Sequence, residues 1–170
     1  MSFHLYAIGN ALVDSEYLVN DDFLTSQNIQ KGQMTLIDGD QQKSLINALN
    51  QSFSCAKRAS GGSAANSVIA FAAFGGSAFY ACKVANDNNG DFYLQDLRAA
   101  NVSAPQHAQV NEGVTGTCVV MVTPDSERTM HTFLGITAEL SPQELDLTAL
   151  SHAQYLYIEG YLATSNSARH

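Results

Sequence analysis

Two stretches of this 170-residue sequence could hold a polar small molecule. The first is Gly61-Gly62-Ser63-Ala64-Ala65-Asn66. Its two glycines end an extended segment, and a run of small residues then opens a helix that reaches Gly75-Gly76. Glycine lets the backbone turn sharply and lets another molecule approach closely. A helix start offers unpaired N–H groups and the positive end of a dipole. Asn66 lies about one turn into that helix, so its amide can face whatever lies over the glycines. The second stretch is Gly9-Asn10 with Asp14 just beyond. An acid past the first parallel strand sits where open α/β sheets take ligands, outside the carboxyl ends of the strands. A carboxylate there can accept charge-assisted hydrogen bonds from two hydroxyls. Read alone, each stretch keeps a plainer alternative: a tight strand-to-helix turn without a ligand, and an ordinary loop acid.

The elements that must position these residues follow from pattern. His4–Ile8 alternates and is rich in strand formers. Glu16–Val19 and Met34–Ile37 read as further extended pieces, with a short helix and turn over Asp21–Lys31 between them. Asp38-Gly39-Asp40 gives an acidic start to a helix carrying Leu45, Ile46, Leu49 and Phe53 at helical spacing. Ser54–Ala59 is extended and leads to the glycines. The helix after them is apolar nearly all round, which predicts burial. Ala78–Val84 is a strand, 86–90 a turn cluster, and Phe92–Ala100 a helix with Phe92, Leu94 and Leu97 facing inward. Gly116–Val122 and Arg128–Phe133 flank a turn and form a plausible hairpin. Ser141-Pro142-Gln143-Glu144 is a capping box, and Tyr155–Ile158 is a strand. Ser165-Asn166-Ser167 reads as a helix about to start, a few residues before His170. Strands alternating with helices predict an α/β fold with a mainly parallel sheet.

Composition narrows the partners. With 45% hydrophobic residues the chain can build a core of one domain. A net charge of −8 argues against nucleic acid or an anionic membrane surface, both of which need a basic face. No apolar run approaches the roughly 20 residues of a membrane span, and no secretion signal is visible. Cys55, Cys82 and Cys118 are odd in number, widely spaced and without a C-x-x-C, which favours reduced thiols in a cytoplasmic protein. His4, His107, His131, His152 and His170 are scattered, so no bound transition metal is expected. A dinucleotide site needs G-x-G-x-x-G after the first strand, and Gly9-Asn10-Ala11-Leu12 does not supply it.

Gly61-Gly62-Ser63-Ala64-Ala65-Asn66-Ser67, followed by Gly75-Gly76 and Gly90, resembles the first signature of the PfkB (ribokinase-like) carbohydrate and nucleoside kinase family. Gly9-Asn10-Ala11-Leu12-Val13-Asp14, Thr115-Gly116-Thr117-Cys118 and Ile158-Glu159-Gly160 resemble the family too, in its order. The likeness covers the family's N-terminal part only. It implies a ribokinase-like (Rossmann-like) α/β fold: a mainly parallel sheet flanked by helices, with a small β lid, incomplete at the C-terminal end. Residues 1–170 would then be the acceptor-binding and lid part of a single domain, with lid pieces at about 15–38 and 115–133.

Such kinases move the terminal phosphate of ATP, with Mg2+, onto a hydroxyl of a sugar or nucleoside. The resemblance makes Asp14 and Asn66 hydroxyl-binding residues that must converge on one cup. It makes Asn10, Gly61 and Gly62 pocket-lining residues, the glycines through their backbone. It places Thr117 on the lid side and matches Glu159 to a substrate-side Glu, where the plainer alternative is a surface acid at a strand end. Ser63 stands where ribokinase has a lysine. Adenosine-kinase-like members carry a small polar residue there, and their Gly-Asn-x-Leu-x-Asp start also matches, which favours a nucleoside-like substrate. The second family signature, an Asp-Thr-x-Gly-Ala-Gly-Asp-like turn carrying the catalytic base and the main ATP cradle, has no counterpart in the sequence. The chain is therefore expected to be inactive alone, with no catalytic residue of its own. ATP and Mg2+ would be held through a missing C-terminal half, present as a separate chain or a cleaved piece. Family members often pair through their lids, so a homodimer is a further expectation. The alternative is a non-catalytic module that binds a sugar or nucleoside.

Overall fold

The computed structural model describes residues 2–105, 112–164 and 167–168. In chain order the elements are β1 (Phe3–Ile8), β2 (Leu12–Leu18), α1 (Asp21–Ser26), β3 (Met34–Leu36), α2 (Gly39–Asn50), β4 (Cys55–Gly61), α3 (Ser63–Ala73), β5 (Ala78–Ala81), α4 (Asn88–Ala99), β6 (Val102–Ser103), β7 (Thr117–Val122), β8 (Arg128–Phe133), α5 (Leu147–Ser151) and β9 (Ala153–Ile158). Short 3-10 turns cover Gly135–Glu139, Pro142–Glu144 and Gly160–Thr164. The chain divides into two compact units, residues 1–13, 60–116 and 134–170 in one, and 14–59 and 117–133 in the other.

The first unit is built on a parallel sheet in the order β6-β5-β1-β9. Strand alternation sends Ala7 of β1 and Ala78 and Tyr80 of β5 to one face, where they pack with Ala64, Ala65 and Val68 of α3 and with Tyr93, Leu94 and Leu97 of α4. Tyr6, Phe79 and Ala81 point the other way and meet Ala149 of α5. The Tyr6 and Phe79 rings stack with centroids 5.1 Å apart. The register Leu5↔Tyr155 to Ile8↔Ile158 brings the ends of β1 and β9 level. That alignment sets Gly9-Asn10 beside Glu159.

The second unit carries a five-stranded sheet in the order β3-β8-β7-β2-β4. β7 and β8 form the expected antiparallel hairpin, and β3 joins β8 in parallel. Tyr17, Val119 and Met121 of this sheet pack with Phe23 and Leu24 of α1 and with Leu45 and Leu49 of α2. Asp38 opens α2 with a reciprocal capping box to Gln41.

Three local readings need correction. α3 buries one face only: Ala64, Ala65 and Val68 are inside, while Asn66, Ala70 and Ala73 are exposed and Phe74 beyond its end is 91% exposed. Alanine counts as apolar in the pattern, yet it loses little by facing water, so an alanine-rich helix need not be buried all round. α4 starts at Asn88 rather than after a turn reaching Gly90, because the Asp87 carboxylate accepts the Gly90 N–H at 2.8 Å and caps the helix there. Its deepest side chain is Tyr93, fully buried, with Phe92 only half-buried. The Ser165-Asn166 helix start and the residues His107 and His170 lie outside the described residues.

Candidate functional site

In the first unit the Gly61-Gly62 turn meets the Gly9-Asn10 loop, while Asp14 belongs to the second unit. Gly62 has φ +100°, and a Cβ there would come within 2.4 Å of the Asn10 carbonyl oxygen, so the double glycine is required by the close approach of the Asn10 loop. Glu159, 3% exposed, joins both stretches. Its Oε1 accepts the Asn10 backbone N–H at 3.2 Å and the Asn10 Nδ2 amide at 2.7 Å. Its Oε2 accepts the Ser63 hydroxyl at 2.8 Å and the Ala64 N–H, in the first turn of α3, at 3.1 Å.

Two tyrosines complete the arrangement. Tyr80 donates to the Asn10 carbonyl at 2.9 Å, and Tyr93 donates to the Gly61 carbonyl at 3.0 Å. Burial above all, with the Glu159 carboxylate adding to it, pushes the Tyr80 phenol well above its ordinary value, so it stays a donor. The Ala11 N–H donates to the buried Thr137 hydroxyl at 2.8 Å. Asn10, Gly61, Gly62, Ser63 and Glu159 are thus brought together. Asn66 follows one turn along α3, its N–H bonded to the Gly62 carbonyl and its side chain exposed.

Sequence reasoning missed Tyr80, Tyr93 and Thr137. The two tyrosines read as ordinary apolar positions, and the buried hydroxyls that matter leave no spacing signal. Thr115, part of a sequence match, is also structural: its N–H and hydroxyl both donate to Asp87, and its oxygen accepts the Ala85 N–H.

In the second unit, Asp14 lies on β2 between the buried Val13 and Tyr17 positions. Its carboxyl makes no hydrogen bond among the described residues, and burial pushes it up to about 6, with the Arg128 charge pulling the other way. Cys118 on β7 is pushed up to about 11, by burial first, with the Asp14 charge adding to it. Thr117 is buried and its hydroxyl oxygen accepts a hydrogen bond from Gln42 of α2. Burial also holds the His131 imidazole below its usual value. Among the described residues no three His, Cys, Asp or Glu side chains gather to hold a metal ion. No helix among them is long and apolar enough to cross a membrane.

A parallel sheet with helices on both faces, and a glycine turn that opens a helix beside the ends of its strands, make a ribokinase-like α/β fold. The chain belongs to the pfkB family of carbohydrate kinases, whose family model matches residues 32–170. Among solved structures it is similar to adenosine kinase from Sinorhizobium meliloti, with 34% identity and a TM-score of 0.86 over 99% of this chain and 50% of that one. A probable sugar kinase protein from Rhizobium etli CFN 42 matches at 35% identity and a TM-score of 0.86, again over 99% and 50%. A ribokinase from Mus musculus is 28% identical over 89 residues, 52% of this chain and 28% of that protein. The chain thus spans about half the length of the solved kinases it resembles.

Proposed function

We propose that this chain is the acceptor-binding part of a kinase that transfers the γ-phosphate of ATP to a hydroxyl of a sugar or nucleoside. Asp14 accepts hydrogen bonds from acceptor hydroxyls, with Thr117 in the same unit. In the first unit, Asn10, Gly61, Gly62, Ser63 and Asn66 offer polar groups and backbone to an acceptor, and Glu159 belongs to the same cluster. One observation carries the reading: in a pfkB-family chain, the partly buried Asp14 carboxyl has no hydrogen-bond partner among the described residues, and burial pushes it up to about 6. A carboxyl that is partly buried, raised in pKa and left unpaired by its own protein is a candidate to bind a ligand.

The residues present do not fit an ATP and Mg2+ site. The first turn of α3 already holds a carboxylate at its Ala64 N–H, and no cluster of acids gathers among the described residues. The phosphate-handling half and the catalytic base belong, in this reading, to residues beyond this chain, and the 170 residues alone do not turn over. β9 supports that view. It is an outer strand of its sheet, and Tyr155, Leu156, Tyr157 and Ile158 are exposed on both of its faces, Tyr155 by 69%. A further α/β segment covers this edge. Leu18, Met34 and Leu36, exposed in the second unit, are where two copies pair. The assembled enzyme is cytoplasmic.

A nucleoside acceptor is favoured by Ser63 and by the similarity to an adenosine kinase. Calorimetric titration of the wild-type chain with adenosine and with ribose tests the reading. Binding of adenosine or ribose that Asp14→Ala abolishes is the expected result, and a titration unaffected by Asp14→Ala overturns the site. An ATP-coupled assay of the 170 residues separates the kinase part from a free-standing binding module. ATP turnover would contradict the division of labour, and ATP-independent nucleoside binding without any co-purifying C-terminal piece would favour the module.

A further inference from the structure

We propose that Glu159 is a positioning residue: its carboxylate, filled by four protein donors, fixes the Asn10 loop and the first turn of α3 and does not itself contact the acceptor. A carboxylate offers about four lone-pair sites. Here the Asn10 N–H, the Asn10 amide, the Ser63 hydroxyl and the Ala64 N–H occupy them, two on each oxygen. The side chain is buried, and its placement is fixed from behind: the Glu159 N–H donates to the Ile8 carbonyl at 3.1 Å, continuing the β1–β9 ladder. Space around it is closed as well, since a Cβ at Gly9 would meet Oε2 at 3.0 Å and the Ala64 Cβ at 2.6 Å.

α3 explains why an anion is wanted there. Its N-cap residue is Gly62, which has no side chain to cap the helix. Glu159 supplies the missing acceptor from the end of β9, and its charge complements the positive end of the helix dipole. The arrangement also sets polarity. A carboxylate only accepts, so the Asn10 amide must turn Nδ2 towards it and present Oδ1 to its surroundings. The Ser63 hydroxyl hydrogen is likewise committed, leaving lone pairs. Glu159 therefore converts Asn10 and Ser63 into hydrogen-bond acceptors, suited to the hydroxyl donors of a sugar or nucleoside. This last step rests on the acceptor-binding reading above; the clamp itself does not.

Amide exchange in the unliganded, 15N-labelled chain reads the clamp without any ligand. In the wild-type chain the Asn10 and Ala64 N–H groups are protected. Glu159→Gln puts an NH2 where an acceptor oxygen was. It speeds exchange at Asn10, at Ala64 or at both by about tenfold or more, while the Leu97 amide inside α4 is unchanged. Glu159→Asp keeps both oxygens and restores part of the protection, a rescue that general destabilisation would not give. With adenosine as the probe, Glu159→Gln weakens binding about tenfold, and Glu159→Asp recovers part of it. A wild-type measurement covers the case in which the variants do not fold. Through-hydrogen-bond coupling between the Ala64 nitrogen and the Glu159 carboxyl carbon is expected, and it persists when adenosine saturates the chain. Unchanged exchange at both amides in Glu159→Gln overturns the proposal, and so does loss of that coupling on adding adenosine. Absence of any adenosine or ribose binding to the wild-type chain would count against the acceptor reading alone, because the exchange result stands without it.

Discussion

The two units handle a carboxylate in opposite ways. Glu159 in the first unit is almost fully buried and takes four hydrogen bonds from its own protein. Asp14 in the second is only partly buried, takes none among the described residues, and is pushed up to about 6 by that burial. The first arrangement stabilises the fold and holds its neighbours rigid. The second leaves its lone pairs unclaimed by the described residues, which is what the proposed acceptor site needs. The letters do not separate the two, since both acids read as following a strand and both match the same family, although Asp14 in fact lies within β2.

Substitution should break this contrast most visibly at Glu159. Removing its carboxylate with Glu159→Ala leaves the buried Ala64 N–H and the partly exposed donors of Asn10 and Ser63 without their acceptor, at about 1–3 kcal/mol for each that water cannot reach. A loss of about 3 kcal/mol or more is expected in urea unfolding, with an unchanged m-value. A change under 1 kcal/mol would mean that the four bonds are not made in solution.

Asp14→Asn should act with the opposite sign. The folded-state value of about 6 lies above the ordinary carboxylate value of 3.8, so between these pH values the folded chain binds more protons than the unfolded one. Stability is therefore lost as pH rises from about 4 to about 6, and stays reduced above that. Two pK units correspond to about 3 kcal/mol, an upper bound for the gain from Asp14→Asn at pH 8. Thermal unfolding at pH 8 should show the variant several degrees more stable, and at pH 4 the advantage should vanish. Destabilisation at pH 8 would place Asp14 with Glu159, as a residue the fold needs.

Tyr80→Phe tests the first unit more gently. It removes the hydroxyl that holds the Asn10 carbonyl and keeps the ring in the core, for a cost of about 1–2 kcal/mol. The smallest effect belongs to the thiols. Burial pushes Cys82 up to about 12 and Cys118 up to about 11, so both stay protonated at neutral pH, one in each unit. Exposed Cys55 should be the one thiol that a maleimide labels in the folded chain, as peptide mapping would report.

Much of the fold was legible in the letters. The α/β alternation, the β7–β8 hairpin and the helix start after Gly61-Gly62 rest on local periodicity and on glycine conformation, which any sequence displays. α4 was misread at its start because the decisive event, an Asp87 side chain capping its own helix, competes with the turn signal of the same asparagines. The burial of α3 was overread because alanine is neutral about water. In the first unit the Asn10 loop and the glycine turn were both visible as glycine-rich ends of extended segments. Tyr80 and Tyr93, which hold their carbonyls, were not, because a tyrosine that caps a loop and a tyrosine that fills a core look the same in sequence.

The sequence by itself determined the family, the strand and helix order, and the need for glycine at the turn, since these depend on neighbours a few residues apart. Only the tertiary structure decided what Glu159 does. Its partners are 95 to 149 positions away in the chain and become neighbours solely because β9 pairs with β1 in one register. Hydrogen bonds are made over about 3 Å of space, and no local pattern records which distant donors will arrive there.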